Sequence, residues 1–265
     1  MKIARVVDSE NKIVYAVEQA DGRLLRVESD GPLQFGKTTE DEVAVSRWLP
    51  PVEPRVIICI GANYVGHIKE GGFEIPKYPV VFMKNPAAAV GHLKAIRIPQ
   101  VCGDEVDYEG ELAVVIGEKC CNAPKEKALD YVLGYTAAND VSARLWQLEK
   151  GGSQWCRGKG FDNFAPLGAF LVTTDEITDP NSLTIETRLN GETVQKDNTA
   201  NMLFNVATLI SFLSQDTTLL PGTVILTGTP QGIGWARKPR RLLQRGDTIT
   251  IEITGIGQLS NPVES

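Results

Sequence analysis

The stretch Asp107-Tyr108-Glu109-Gly110-Glu111-Leu112-Ala113-Val114-Val115-Ile116-Gly117 constrains this chain more than any other. It reads as a β-strand that starts polar and ends apolar. Alternate residues on a strand share a face. Glu109 and Glu111 therefore point the same way, continued by Ala113 and Val115, while Leu112, Val114 and Ile116 face a core. On such a half-buried strand, two adjacent carboxylates raise each other's pKa unless a cation lies between them. A divalent metal ion is the simplest remedy, and oxygen-only ligands suit a hard ion such as Mg²⁺, Mn²⁺ or Ca²⁺. The alternative is a solvated strand face carrying two ordinary glutamates.

A third carboxylate follows. Gly134 to Asn139 is a small-residue strand that delivers Asp140, after which Val141 to Leu148 has the pattern of a helix start. If the two strands are neighbours, Asp140 converges with Glu109 and Glu111. The competing role for Asp140 is a helix N-cap.

The remaining pattern is β-rich. Residues 1–48 alternate apolar and polar around Asp21-Gly22 and Asp30-Gly31-Pro32, which predicts strands in hairpins. Thr39 to Trp48 reads as a short helix. Pro50-Pro51-Val52-Glu53-Pro54 is a stiff linker, giving a small N-terminal domain over 1–50 and a larger one over 51–265. Strands are expected at Arg55–Ile60, Val80–Met83, Ala169–Thr173, Leu183–Leu189, Val224–Thr227 and Thr248–Ile253. Helices are expected around His67–Glu70, breaking at Gly71-Gly72, and at Lys125–Val132 and Met202–Ser214. Strands outnumber helices without regular βα alternation, so the class is mixed α+β and a doubly wound sheet is disfavoured.

Several function classes are set aside. The formal net charge is −6 and the basic residues are scattered; the one cluster, Arg237-Lys238-Pro239-Arg240-Arg241, fits a solvated loop better than a nucleic-acid surface. No apolar run reaches the ~20 residues of a membrane helix, and the first residues do not resemble a signal or transit peptide. A cytoplasmic protein is the expectation, with a mitochondrial site left open. Five cysteines without C-x-x-C spacing suit a reducing compartment, and two histidines leave no His-rich metal site. Gly228, Gly232 and Gly234 lack the spacing and the Lys-Ser/Thr of a nucleotide loop.

His67 and Glu70 are spaced to share a helix face, where the carboxylate would orient the imidazole as a general base; an ordinary surface pair is the alternative. Gly71-Gly72 and Pro76 flank a segment, 63–76, that reads as a lid over substrate. Arg144 and Gln147 follow Asp140 at helical spacing and suit the carboxylate and carbonyl of an anionic substrate, although Arg144 is as well suited to a structural pair with a glutamate. Lys84 ends a strand and is placed to approach the site. His92 reads as structural or exposed.

These residues sit in a set of ordered motifs: Gly61-Ala62-Asn63-Tyr64 with His67 and Glu70, Val81-Phe82-Met83-Lys84, Asp107 to Gly117, Gly134 to Arg144, Gln154-Trp155, Lys159-Gly160-Phe161-Asp162, Pro166-Leu167-Gly168, Asn190-Gly191-Glu192, Gln195, Leu226 to Pro230 and Gly255-Ile256-Gly257. In that order, over roughly 54–263, the chain resembles the fumarylacetoacetate hydrolase family, and within it the subgroup of fumarylacetoacetate hydrolase domain-containing proteins. The resemblance implies a β-sandwich or β-roll with the site among its loops, and a homodimer. It implies Glu109, Glu111 and Asp140 as metal ligands, His67–Glu70 as the base, Lys159 as stabiliser of negative charge on the reacting carbonyl, and Gln195 and Thr229 as substrate contacts. Without it, Lys159 is a loop lysine and Thr227 to Pro230 a tight turn. The implied activity is metal-dependent cleavage of C–C bonds in 2-oxo or 1,3-dicarbonyl acids, by acylpyruvate hydrolysis or oxaloacetate decarboxylation, through an enolate held by the metal. Oxaloacetate keto–enol tautomerisation is the rival, supported by Gly151 to Trp155 and Arg237-Lys238-Pro239, and a non-catalytic binding homologue is a third reading. Leu145, Asn163, Ala165 and Ala169 depart from the family pattern without removing a ligand.

Overall fold

The computed structural model describes residues 1–72 and 74–264. Two β-sheets face each other across one core. In the larger, the strand order is Thr38–Glu42, Leu24–Val27, Ile13–Glu18, Lys2–Asp8, Leu171–Thr173, Val132–Asn139, Gly110–Ile116, Thr223–Leu226, Val56–Gly61 and Val80–Lys84. Neighbours run antiparallel except Thr223–Leu226 with Val56–Gly61, and Val45–Trp48 pairs separately with Lys2–Asp8. The smaller sheet has the order Glu192–Asn198, Thr184–Leu189, Thr248–Ile253, Gly257–Glu264 and Ile96–Arg97. Among the described residues no helix is long and apolar enough to cross a membrane.

The Gly110–Ile116 strand lies in the middle of this arrangement. Leu112, Val114 and Ile116 join Tyr135 and Ile225 in packing against Ile185, Ile251 and Leu259 of the smaller sheet. Ala113 and Val115 enter a second cluster with Ile57, Cys59, Phe82 and Leu226 on the opposite face. The alternation is as expected from the sequence, but the strand is buried on both faces rather than half-buried. Full burial follows from having sheet neighbours on each side and a packed cluster above and below.

The N-terminal residues 1–48 carry their own apolar clusters, one around Ala4, Val6, Val14, Ala16 and Val43 and one around Ile3, Val17 and Val27. They also extend the large sheet, through Lys2↔Val172 and Ile3↔Leu171. The helix expected over 39–48 is instead two strands, Thr38–Glu42 and Val45–Trp48. Their pairing with Leu24–Val27 and Lys2–Asp8 overrides the local polar pattern, and Val43 between them is buried. Lys125–Tyr131 is a 3₁₀ turn rather than a regular helix, and the second helix is shortened to Val206–Leu213, capped by the Asn205 side chain on Thr208 N–H.

Candidate active site

Three short segments assemble the site. Val106–Asp107 pairs with Ser142–Ala143 in a two-stranded ribbon, and the register Gly110↔Asn139 sets Glu111 opposite Ala138 in the adjacent strand. The Glu109 carbonyl accepts the Asp140 N–H at 2.8 Å, which carries the pairing past the strand end and puts Asp140 beside the glutamates. Asp140 therefore sits directly past the strand end at Asn139 and caps no helix. Glu109, Glu111 and Asp140 each present an oxygen within 4.8 Å of the others, and all three are buried.

Cations serve two of these carboxylates. The Lys159 ammonium donates to Glu109 Oε2 at 2.9 Å, Asp140 Oδ2 at 2.7 Å and the Ser142 hydroxyl at 2.6 Å. Lys84 donates to Asp140 Oδ1 and to the Val141 carbonyl. Arg144 Nη1 donates to Glu109 Oε1 at 2.6 Å and to Gln147 Oε1 at 3.0 Å. Burial pushes the Glu109 carboxyl up, but Lys159 and Arg144 outweigh it and hold it well below the usual range. Glu111 differs. Among the described residues it has no ion pair, and its Oε2 takes only the Gly228 N–H, at 2.7 Å. Burial and the charges of Asp140 and Glu109 push its carboxyl far up. A buried oxygen-only triad, one member of which lacks a counter-charge, fits a hard divalent cation.

A cavity of about 380 Å³ opens onto this cluster. Glu109, Glu111, Arg144, Gln147, Lys159 and Thr229 line it, and His67 and Glu70 reach it from the short helix Val65–Gly71. That helix stops where expected, with Gly72 left-handed at φ 67° and its N–H turned back on Ile68 and Lys69. His67 Nδ1 is 3.0 Å from Glu70 Oε1, and the same carboxylate accepts the Gly232 N–H at 2.9 and 3.0 Å. Of the segment 63–76, residue 73 lies outside the described residues.

Thr229 lines the cavity, its hydroxyl donating to the Gly110 carbonyl at 3.0 Å and accepting from Gln195 Nε2 at 2.8 Å. Gln195 does not line it. Its Oε1 accepts the Gly110 N–H, and both Nε2 protons are used, donated to Thr229 and to the Pro230 carbonyl. Gln195 thus braces the Thr229 turn. Asp140 and Lys84 are buried behind the cavity and do not line it.

Some participants escaped the sequence reading. Phe82 and Trp155 form an aromatic wall, rings 5.5 Å apart, and Lys159 Nζ sits 5.0 Å from the Phe82 ring. Gly61 makes room for that wall, since a Cβ there would meet Trp155 at 2.3 Å. Gln154-Trp155 and Gly61 were visible as motifs, but nothing local marks them as packed together. Trp235 also lines the cavity, under the Arg240 guanidinium at 3.4 Å. The basic cluster is dispersed: Arg237 donates to the Gly232 and Val194 carbonyls, and Arg241 pairs with Glu192.

A model of the fumarylacetoacetate hydrolase C-terminal domain matches residues 56–264. The mitochondrial oxaloacetate tautomerase of Xenopus laevis is 50% identical over 219 residues, which are 83% of this chain and 68% of that protein. Among solved structures, fumarylacetoacetate hydrolase from psychrophilic Exiguobacterium antarcticum aligns with a TM-score of 0.85 at 37% identity, covering 100% of this chain and 99% of that one. Fumarylpyruvate hydrolase from Pseudomonas aeruginosa, solved with Mn²⁺ and pyruvate, aligns with a TM-score of 0.73 at 30% identity, covering 83% and 92%.

Proposed function

This chain belongs to the fumarylacetoacetate hydrolase family, and on that premise we propose that it is a divalent-metal-dependent enzyme that enolises small 2-oxo acids, with oxaloacetate keto–enol tautomerisation as its activity. The observation that carries this reading is the arrangement around one cavity: a buried carboxylate triad, a lysine bound to two of its members, and a histidine–glutamate pair on a separate helix. Glu109, Glu111 and Asp140 would hold the ion, with Mg²⁺ the first candidate and Mn²⁺ or Ca²⁺ next. Once bound, such an ion supplies Lewis-acid polarisation of a 2-oxo group.

The chain's own residues do the rest. Gln147 Oε1 is occupied by Arg144, which leaves its amide N–H₂ to donate to substrate. Arg144 uses four of its five N–H donors on protein partners and presents the remaining one to a substrate carboxylate. Lys159 places positive charge beside the oxygen that becomes anionic on enolisation. With Nδ1 directed to Glu70, His67 takes or returns the carbon-bound proton at Nε2.

Hydrolysis of acylpyruvates is the second reading. It is favoured by the His67–Glu70 pair, which suits activation of water, and by the likeness to fumarylpyruvate hydrolase. Protein loaded with Mg²⁺ should be assayed on oxaloacetate, acetylpyruvate and fumarylpyruvate, with enol decay, CO₂ release and hydrolysis followed separately. Accelerated enol decay of oxaloacetate is the expected result, and hydrolysis of either acylpyruvate establishes the second reading. Background rates on all three would overturn both.

A homodimer is also proposed. Val80–Lys84 is an edge strand of the large sheet, with Val81 and Met83 exposed along it, a surface that another chain would cover. Sedimentation at micromolar concentration should give twice the 28.9 kDa chain mass, and a monomer alone would refute it.

A further inference from the structure

Asp107 is fully buried and lines no part of the cavity, yet its carboxylate joins two pieces of the cavity wall. Oδ2 accepts from Arg144 Nε at 2.9 Å and Nη2 at 2.7 Å, and from the Trp235 N–H at 2.9 Å. Oδ1 accepts the Gly234 N–H at 2.9 Å and the neighbouring Tyr108 N–H at 2.9 Å. One edge of the guanidinium is thus fixed on Asp107, which leaves Nη1 facing Glu109 and Gln147. The same carboxylate ties down the turn Gly234–Ala236, which brings Trp235 and Ala236 to the rim. The close approach requires glycine at 234: a Cβ there would meet the Arg241 carbonyl oxygen at 2.0 Å and Asp107 Oδ1 at 2.6 Å.

The backbone reinforces the link. Val106–Asp107 is paired with Ser142–Ala143, and the Arg144 N–H donates to the Glu105 carbonyl at 3.1 Å. Asp107 therefore meets Arg144 from a strand already in register with it, and Ser142, opposite Asp107, is the residue whose hydroxyl accepts from Lys159.

We propose that Asp107 is a positioning residue for substrate binding, holding the Arg144 guanidinium and the Trp235 rim in one fixed relation so that together they grip the carboxylate of a 2-oxo acid. This rests on the functional reading above. Glu109 engages a single nitrogen of Arg144 and does not fix the plane of the guanidinium, whereas the two bonds to Asp107 do.

Asp107→Asn puts an amide N–H₂ or a weakened acceptor against Arg144 and Trp235, and Gly234→Ala breaks the same junction from the other side. Both are measured as Mg²⁺-loaded protein: KM and kcat for the best 2-oxo acid, Kd for pyruvate by titration calorimetry, and the thermal melt. Loss of binding common to ground and transition states raises KM more than it lowers kcat. The expected rise in KM and Kd is about 10–100-fold, the range for residues that orient direct ligands. The double variant should be no worse than the worse single one, because both break one linkage. Unchanged KM and Kd, a loss confined to kcat or to thermal stability, or a multiplicative double variant each overturn the proposal. If Asp107→Asn does not fold, Gly234→Ala carries the test. Wild-type protein that neither turns over nor binds any 2-oxo acid sinks the functional reading and this proposal together; wild-type activity with wild-type behaviour in the variants sinks this one alone.

Discussion

Replacing Glu109 and Glu111 together by glutamine is expected to lower divalent-cation affinity by more than about 100-fold and to abolish turnover. Residues that merely orient metal ligands cost about 10–100-fold when lost, so removing two direct ligands exceeds that range. Amides are also weaker ligands than carboxylates for a hard ion. The substitution is close to isosteric; among the described residues Glu111 has no ion pair to lose, while Glu109→Gln gives up its pairs with Arg144 and Lys159, which keep Asp107 and Asp140 as partners, so the double variant is expected to fold with a lowered melt. Calorimetric titration with Mg²⁺ and Mn²⁺, compared with a melt of the metal-free proteins, checks both parts. Undiminished affinity in a folded double variant would remove the site.

Under the second reading, His67→Ala is expected to lower acylpyruvate hydrolysis by about 10²–10⁴-fold, the usual worth of a positioned general base. Metal affinity should be untouched, since His67 stands on the Val65–Gly71 helix while the three carboxylates belong to other segments. The other histidine cannot substitute: His92 Nδ1 accepts the Ser260 N–H, and its ring packs against Trp48. For tautomerisation, the proposed activity, a water molecule can carry part of the proton transfer, and the loss on oxaloacetate is smaller than on an acylpyruvate. Running both substrates through the variant separates the two readings. Full hydrolytic activity would dismiss the His67–Glu70 assignment.

The carboxylate half of the site was legible because its signal is local. Period-two alternation from Glu109 to Ile116 states which side chains share a face, and the two packed clusters on either side of that strand obey it. The His67–Glu70 spacing and the glycine stop are likewise local, and the helix ends accordingly. What failed depended on distant partners. Thr39 to Trp48 has the look of a short helix until Leu24–Val27 and Lys2–Asp8 offer it strand edges. For Asp140 only the alternative role of helix cap falls away, since Lys84 and Lys159 arrive from other segments to take its oxygens. The partners that the Gln195 amide meets, Gly110, Thr229 and Pro230, are likewise distant in sequence. Asp107 lay in plain sight two residues before Glu109, but its partners at Arg144 and Gly234 have no sequence signature.

The two halves of the site rest on supports of unequal permanence. Glu111 belongs to a strand with neighbours on both edges and a packed cluster on each face, so exposing it requires opening the whole molecule. His67 and Glu70 ride on seven residues of helix, of which only His67 and Ile68 are buried, and Glu70 is tethered through the Gly232 N–H. Such a unit can detach and re-dock while the sheet stays closed. The amides of Val65–Gly71 are therefore expected to exchange with solvent well before those of Gly110–Ile116, and equal protection of the two segments in a hydrogen-exchange measurement would show that base and carboxylates share one support.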